Sequence, residues 1–214
     1  MSEPRFVGLV ATDRVPPDLA DSVIPCGAIA AAIRRAQTGG EERDGRDHHA
    51  AVVAWCRRTA FLPSRSGITV SPRLLQSVTQ SAPSYCARLD HVVDRVEISV
   101  EFDRRSDLLR RAPEAGGRAY LRAAAQDLGA CEVGIATAAS LLAMFAQRAD
   151  ADLIVSTAPL PSVRLRAAVL VKRTVAPRLA QRIEATLNSI SARLVCRVSG
   201  PWPPYSFATI EESP

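Results

Sequence analysis

Aromatic residues make up only 5% of this 214-residue chain, and the patterns that mark common catalytic sites are absent from it. The chain has no G-x-G-x-x-G or G-x-x-x-x-G-K-[ST] stretch to hold a phosphate and no G-x-S-x-G stretch to present a serine nucleophile. A nucleophilic pair can be drawn from Cys86 and His91, but the surrounding "LDHVVD" is more typical of a solvated helix end. We therefore expect no catalytic residues and no cofactor, which argues against an enzyme.

Paired metal ligands, disulfide patterns and long apolar runs are also missing. The five cysteines lie far apart without a C-x-x-C pair, which is typical of reduced thiols in a cytosolic protein. The adjacent His48 and His49 do not supply a zinc site, and we interpret them as a solvated helix start. No apolar run approaches the roughly 18 residues of a membrane span, and the first residues lack the pattern of a signal peptide. The sequence predicts a soluble cytosolic protein with no bound metal and no membrane contact.

Lysine is nearly absent, with Lys172 as the only one. The other basic residues are arginines, and the net charge of the chain is +5. A basic chain can indicate a nucleic-acid-binding protein. Here the arginines form doublets dispersed among carboxylates, such as Arg34-Arg35 and Arg57-Arg58. A solvated, arginine-rich surface explains this pattern better than a phosphate-binding patch does.

Residues 1–94 mix short apolar runs with turns and predict an N-terminal α+β domain. "RFVGLVA" is typical of a strand, and we interpret "SVIPCGAIAAAI" as a strand followed by a helix. "TGGEERDGRD" has the composition of a polar loop. "HHAAVVAWCRRTA" has the apolar spacing of a helix.

The second half of this domain predicts an extended segment and one long helix. "FLPSRSG" is an extended stretch interrupted by Pro63 and Gly67. Ser71 followed by Pro72 is the pattern of a helix N-cap and its first helical residue. We expect this helix to continue beyond Pro83 to the end of the domain.

Residues 95–199 predict a second domain, and their pattern is clearer. "RVEISVEFD" alternates strictly between apolar and polar residues, as a half-buried strand does. A helix from about Gly117 to Arg148 follows, with a stripe of mostly small residues that we expect to pack across a sheet. Strands at "ADLIVSTA", "SVRLRAAVLV" and "RLVCRV" then enclose a helix that Thr174 is expected to cap. This β-α-β-β-α-β order is the ferredoxin-like arrangement, with strand order 4-1-3-2 and both helices on one face.

This strand order predicts charges of opposite sign on neighbouring strands. The outward residues are carboxylates on the central strand and arginines on both of its neighbours: Glu97, Glu101, Asp103, Arg164, Arg166, Arg193 and Arg197. Each opposite pair across strands contributes about 0.2–1 kcal/mol. Acidic groups at the centre of the sheet would repel phosphate, and exposed aromatic residues to stack bases are missing there. The face therefore argues against RNA binding.

Residues 200–214 form a tail that concentrates prolines and aromatic rings. Its "GPWPPYSF" stretch contains Trp202, one of only two tryptophans, together with Tyr205 and Phe207. The prolines favour an extended, polyproline-like path, and exposed large rings need a surface to cover them. We expect the rings to pack on the chain's own surface, or else to dock on a partner. The span Pro201 to Pro204 also matches the short P-x-x-P pattern.

The tail "SGPWPPYSF" resembles the C-terminal hallmark of the gas vesicle protein F/L family, accessory proteins of gas vesicle formation. Three other stretches resemble the same family in the same order, and the resemblance covers most of residues 1–208. "FLPSRSG" has Ser66 where the family usually has an aromatic residue. The matching positions are Leu62, Pro63, Arg65 and Gly67 in "FLPSRSG", Glu97 in "VEISVEFD", and Gly117, Tyr120 and Leu121 in "GGRAYLRA".

The resemblance implies a non-enzymatic protein of two α/β domains, the second of them ferredoxin-like. It implies that the partners are the small, hydrophobic major shell protein and other gas vesicle accessory proteins. It also implies a cytoplasmic location at the gas vesicle, as a minor component or an assembly factor. The predicted partner-binding residues are Leu62, Pro63, Arg65, Gly67, Tyr120, Trp202, Pro204, Tyr205 and Phe207.

Two other functions stay open on the sequence. A basic, ferredoxin-like nucleic-acid-binding or regulatory module would bind DNA or RNA with a steep salt dependence. A small-molecule enzyme would need a pocket with converging titratable groups.

Overall fold

The computed structural model describes residues 3–35, 41–104, 117–156, 163–190 and 194–208. Within them the chain is a mixed α+β protein with two four-stranded antiparallel sheets. The chain divides into two compact units, which we call the first and second units. The first contains Met1–Val96 and Trp202–Pro214, and the second contains Glu97–Pro201. The "GPWPPYSF" stretch from Trp202 onward thus belongs with the N-terminal part of the chain.

The first unit is built on a sheet in the order β2-β3-β1-β4. Its strands are β1 (Pro4–Ala11), β2 (Val23–Cys26), β3 (Ile29–Arg35) and the very short β4 (Leu62–Pro63). Two 3-10 turns, Thr12–Arg14 and Pro17–Ser22, connect β1 to β2.

The predicted helix in "AIAAAI" is wrong, because these residues form β3. This strand pairs with β2 on one side and β1 on the other, and Ala30, Ala31 and Ala32 are all buried. A strand buried on both faces has no apolar–polar alternation, and its alanines favour a helix by intrinsic propensity alone. Pairing on both sides outweighs that preference. Gly27, at φ 78°, makes the tight turn between β2 and β3.

The predicted loop in "TGGEERDGRD" is also wrong where the structure describes it, since α1 spans Glu41–Cys56. Acidic residues in a first helical turn interact favourably with the helix dipole. Two ion pairs at i,i+4 spacing add to this, Glu42 with Arg46 and Arg43 with Asp47. The polar surface of the first turns therefore stabilises a helix here.

The single long helix predicted after Ser71 is two helices, α2 (Pro72–Gln80) and α3 (Ala82–Val92). The cap is confirmed, since Ser71 Oγ accepts a hydrogen bond from the backbone N–H of Leu74 at 3.1 Å. The helix breaks at Ser81 because Pro83 has no N–H and is tolerated only in a first turn.

The core of the first unit brings β1 and β3 against α1 and the residue before β4. Its buried side chains are Val7, Val10, Ala30, Ala32, Val52, Trp55 and Phe61. Trp55 and Phe61 stack with ring centroids 5.4 Å apart and planes 10° from parallel. Gly8 permits the close approach of β4, because a Cβ at that position would lie 2.3 Å from the carbonyl oxygen of Leu62.

The second unit has the sheet order β6-β7-β5-β8, which is the predicted strand order 4-1-3-2. Its helices are α4, which starts and ends at the predicted residues and contacts β6, β7 and α5, and α5, with Pro177 in its first turn. The predicted Thr174 cap is wrong, because Val175 precedes α5 and no side chain caps it. The elements are β5 (Arg95–Arg104), α4 (Gly117–Arg148), β6 (Asp152–Ser156), β7 (Val163–Lys172), α5 (Ala176–Asn188) and β8 (Leu194–Trp202).

Two of the predicted charge pairs across the second sheet are present, whereas Glu97, predicted among the outward carboxylates, is buried at 6% exposure. Arg166 Nε on β7 lies 3.0 Å from Glu101 Oε1 on β5. Arg197 Nη1 on β8 lies 2.9 Å from Asp103 Oδ2 on β5. The side chain of Arg164 and the whole of Arg193 lie outside the described residues.

Helix α4 contains the most apolar long stretch of the described chain. Its residues 129–148 have a mean hydropathy of 1.6, which suits a membrane span by length and composition alone. The buried stripe is Cys131, Ala138, Leu142 and Phe145, as a helix on a sheet requires. Core helices of soluble proteins pass the same length and composition test, so this is weak evidence for a membrane.

Gly8→Ala tests the close approach of β4 to β1. The added methyl group would overlap the Leu62 carbonyl and the Phe61 ring, so we expect a loss of about 2–3 kcal/mol in the free energy of unfolding. Urea titration followed by tryptophan fluorescence measures it. The control is Gly45→Ala in α1, where the added methyl meets nothing within 4 Å and should stabilise by about 0.5–1 kcal/mol. Equal effects of the two changes would contradict the packing described here.

Candidate partner-binding surface of the first unit

The "FLPSRSG" segment runs along the edge of the first sheet. Its first part lies in the core and its second part lies at the surface. Its first four residues, 61–64, are buried, and β4 pairs with β1 through Leu62 and Pro63. Arg65, Ser66 and Gly67 form an exposed turn, in which Gly67 has φ 89°. Of the predicted binding residues in this segment, Arg65 and Gly67 therefore lie at the surface, while Leu62 and Pro63 lie in the core.

Polar contacts hold this turn at both of its ends. On the first side, Ser64 Oγ donates to the Phe6 carbonyl at 3.1 Å, and the Ser64 N–H donates to the Val7 carbonyl at 2.9 Å. On the other side, Arg5 Nη1 donates to the Gly67 carbonyl at 3.1 Å and to Thr69 Oγ1 at 2.7 Å. The exposed turn is thus anchored to β1 before and after its tip.

His48 on α1 supplies a third anchor for the same turn. The ring is 4% exposed, and its Nε2 lies 2.9 Å from the Ser64 carbonyl oxygen. A carbonyl only accepts, so Nε2 carries the hydrogen and donates it. Nδ1 is buried and has no hydrogen-bond partner within the described part of the chain. Burial lowers the pKa of His48, and the hydrogen bond to Ser64, which acts in the opposite direction, does not offset it.

Arg34 and Asp44 lie next to His48, and Arg5 lies close to Asp44. Arg5 and Arg34 face each other directly across β1 and β3, an arrangement that like charges disfavour. Asp44 on α1 forms an ion pair with Arg34, whose Nη2 also donates to the Asp44 carbonyl at 3.1 Å. The hydrogen bond from Arg34 lowers the pKa of Asp44, so this carboxylate stays ionised between the two arginines.

The tail packs on the first unit through its prolines. Pro203 and Pro204, which follow β8, are buried, and so is Ala208. Between them a 3-10 turn spans Tyr205–Phe207, with the Tyr205 N–H donating to the Pro203 carbonyl at 2.7 Å. Phe207 is half-buried. Of the predicted tail residues, Pro204 is thus buried, whereas Trp202 and Tyr205 are the exposed ones.

His49, Trp202 and Tyr205 form what we call the aromatic cluster. His49 Nδ1 lies 2.9 Å from the Tyr205 hydroxyl, and the two rings stack with centroids 6.0 Å apart. Trp202 meets His49 edge-on, with centroids 5.8 Å apart. Trp202 is 39% exposed and Tyr205 is 36% exposed. The rings pack on the chain's own α1, as favoured from the sequence, yet keep over a third of their surface accessible.

The interpretation of His48 and His49 as a solvated helix start is wrong. Both lie in the middle of α1, where His48 binds the "FLPSRSG" turn and His49 binds the tail. The two adjacent histidines therefore bind two of the four stretches that carry the family resemblance. Tyr120, the remaining predicted residue, lies in the first turn of α4, and its side chain is outside the described residues.

No group of three or more potential metal ligands occurs among the described residues. Burial raises the pKa of the Cys196 thiol to about 12, so it stays protonated and weakly nucleophilic. Cys86 and His91 share α3 at a spacing of five residues, which places them on different sides of the helix.

Comparison with solved structures shows that the whole chain has a known two-sheet α+β fold. The crystal structure of the gas vesicle protein GvpF from Anabaena sp. PCC7120 superposes with a TM-score of 0.69 at 17% identity, covering 99% of this chain and 100% of the other. That of GvpF from Microcystis aeruginosa gives 0.68 at 15% identity, covering 98% and 100%. No curated protein sequence matches this chain.

The sequence itself establishes the family. The profile of the gas vesicle synthesis protein GvpL/GvpF family matches residues 20–209, which include the "FLPSRSG" turn, both histidines of α1 and the aromatic tail. This chain belongs to the GvpL/GvpF family of gas vesicle proteins.

His48→Gln should flatten the dependence of stability on pH. The pKa of His48 is lower in the folded than in the unfolded chain, so the unfolded chain binds the extra proton first as the pH falls below about 6.5. The contribution to stability is complete above that value and falls by up to about 1.4 kcal/mol per pH unit below it. A glutamine can still donate to Ser64 but does not titrate.

Urea unfolding of wild type and His48→Gln at about pH 7.5 and about pH 5.5 measures this difference. His91→Gln is the matched control, because His91 lies exposed at the end of α3. A slope that is lost with His91→Gln and kept with His48→Gln would contradict the role of His48.

Proposed function

We propose that this protein supports gas vesicle formation by binding the major shell protein and other gas vesicle accessory proteins. It acts without catalysis, in the cytoplasm at the growing vesicle, as a minor component or an assembly factor. Family membership supports the involvement with gas vesicles. The single observation that carries the binding role is the aromatic cluster, which presents two accessible rings on a fixed support.

The geometry of the cluster suits a binding surface because its rings are held before any partner arrives. Buried prolines and a 3-10 turn fix the backbone on both sides of Tyr205, and His49 fixes the ring positions. Tryptophan and tyrosine are enriched at the energetic centres of interfaces because they bury large areas. Rings that are already ordered lose little conformational freedom on binding, so more of the contact energy appears as affinity.

The partner that fits such rings is an apolar protein surface. A small hydrophobic shell subunit exposes apolar area until it is incorporated, and apolar area exposed to water favours association. Rings on an accessory protein would cover part of that area during assembly. In our proposal Trp202, Tyr205 and the Arg65 turn touch the partner, while the buried Leu62, Pro63 and Pro204 position these groups.

We further propose that the second unit has the ferredoxin-like arrangement expected from the sequence. Its strand order and the packing of α4 against α5 support two helices on the same face of the sheet. The opposite face carries ion pairs, in which Arg166 and Arg197 bind carboxylates. Because these arginines are neutralised within the sheet, we do not put forward nucleic acid as a ligand of this face.

Combined replacement of Trp202 and Tyr205 by alanine should weaken binding to the shell protein. Removing two large anchors from the centre of an interface costs about 1–3 kcal/mol, so we expect the affinity to fall about tenfold to hundredfold. Co-purification of the co-expressed proteins, followed by titration of the isolated chain against shell protein, measures the change.

Two control variants define what the result means. Val93→Ala removes an exposed apolar side chain of the same unit, 45% accessible, outside the cluster, and should leave binding unchanged. Tyr205→Phe keeps the ring but removes the hydroxyl next to His49, and should lose much less than the double variant. Wild-type affinity in a folded double variant would refute the binding role. Loss of folding in that variant would instead make the tail a structural clasp.

A further inference from the structure

The two sheets have four edge strands, and three of them carry a proline. β2 contains Pro25, β4 contains Pro63 and β8 contains Pro201. Proline has no N–H to offer a neighbouring strand, so it protects an edge against pairing with another chain. The fourth edge strand, β6, has the sequence "DLIVS", without proline or a basic residue. Its Ile154 and Val155 are each 42% exposed.

We propose that β6 pairs with β6 of a second copy of this chain to form a symmetric dimer. Antiparallel pairing with full overlap places a two-fold axis at Ile154, so that Ile154 faces its own counterpart. Leu153 then faces Val155, and Asp152 faces Ser156. The strand is self-complementary in this register, because apolar residues meet each other and the only charge meets a hydroxyl.

The pairing that β6 already makes supports this geometry. All five of its residues pair with β7, from Asp152 opposite Leu170 to Ser156 opposite Arg166, so no bulge interrupts the strand. A regular edge of this kind is a template for backbone hydrogen bonding. Addition of a second copy joins two four-stranded sheets into one of eight strands.

A second copy is the occupant that the sequence of β6 favours. A two-fold axis perpendicular to a sheet leaves each side chain on the same face of the sheet in both copies. Residues directly opposite each other in antiparallel strands also share a face, so each residue of β6 must lie opposite itself or a residue an even number of positions away. In the full-overlap register β6 meets this condition without opposing like charges. The interface is small, so we expect a weak dimer whose population rises with concentration. This proposal does not depend on the proposed function, because the aromatic cluster belongs to the first unit.

Charge changes at residue 156 test the register in the full-length protein. Ser156→Lys would place a lysine opposite Asp152 of the second copy at both ends of the paired strands, and it should tighten the dimer. Ser156→Asp would create two like-charge pairs and should weaken it, so that the dissociation constants of the two variants differ about tenfold or more. Sedimentation velocity over a range of concentrations measures both. Val175→Lys, on the 39% exposed Val175 of α5, is the control that should leave the constant unchanged.

Cross-linking tests the position of the axis independently of affinity. Residues directly opposite in antiparallel strands have Cα atoms about 4.5–5.5 Å apart, within the range that a disulfide spans. In a chain with Cys56→Ser and Cys86→Ser, Ile154→Cys should form covalent dimers on mild oxidation, whereas Val175→Cys should not. A monomer at every concentration, equal effects of both Ser156 changes, or equal cross-linking at both positions would overturn the proposal.

Discussion

The hydrogen bonds of two adjacent histidines on α1 connect segments that are far apart in the sequence. His48 binds the Ser64 carbonyl, 16 residues away, and His49 binds the Tyr205 hydroxyl, 156 residues away. Consecutive residues of a helix project about 100° apart, so one helix can hold two different segments on two of its sides. The position of α1 therefore determines where the "FLPSRSG" turn and the tail are held on the first unit.

The neutral state of His48 is part of this arrangement. Its ring is buried beside Arg34, and both the burial and the positive charge disfavour protonation. Asp44 balances the facing arginines of β1 and β3, which would otherwise repel each other across the sheet. Buried polar groups that are satisfied in only one geometry oppose alternative packings more strongly than apolar contacts do. The contacts among His48, Asp44 and the two arginines therefore fix the position of α1 over the strands as well as contributing to stability.

The sequence predicted the second unit better than the first, for a physical reason. β5 alternates apolar and charged residues, so its face, its neighbours and its ion pairs with Arg166 and Arg197 follow from a period of two. β3 is buried on both faces and lacks this alternation, while the first turns of α1 are polar and contain Gly45. The contacts of the two histidines are tertiary, and no local pattern encodes a partner 156 residues away.

The distribution of burial along the tail separates two roles for its rings. A tail that served only to clasp the fold would bury its largest apolar groups, because they contribute most to stability on removal from water. Here Pro203, Pro204 and Ala208 are buried, while Trp202 and Tyr205 keep over a third of their surface in solvent. The smaller groups attach the tail, and the larger ones are displayed by it. Since large exposed rings favour association with other proteins, this distribution of burial supports the partner-binding surface that we propose.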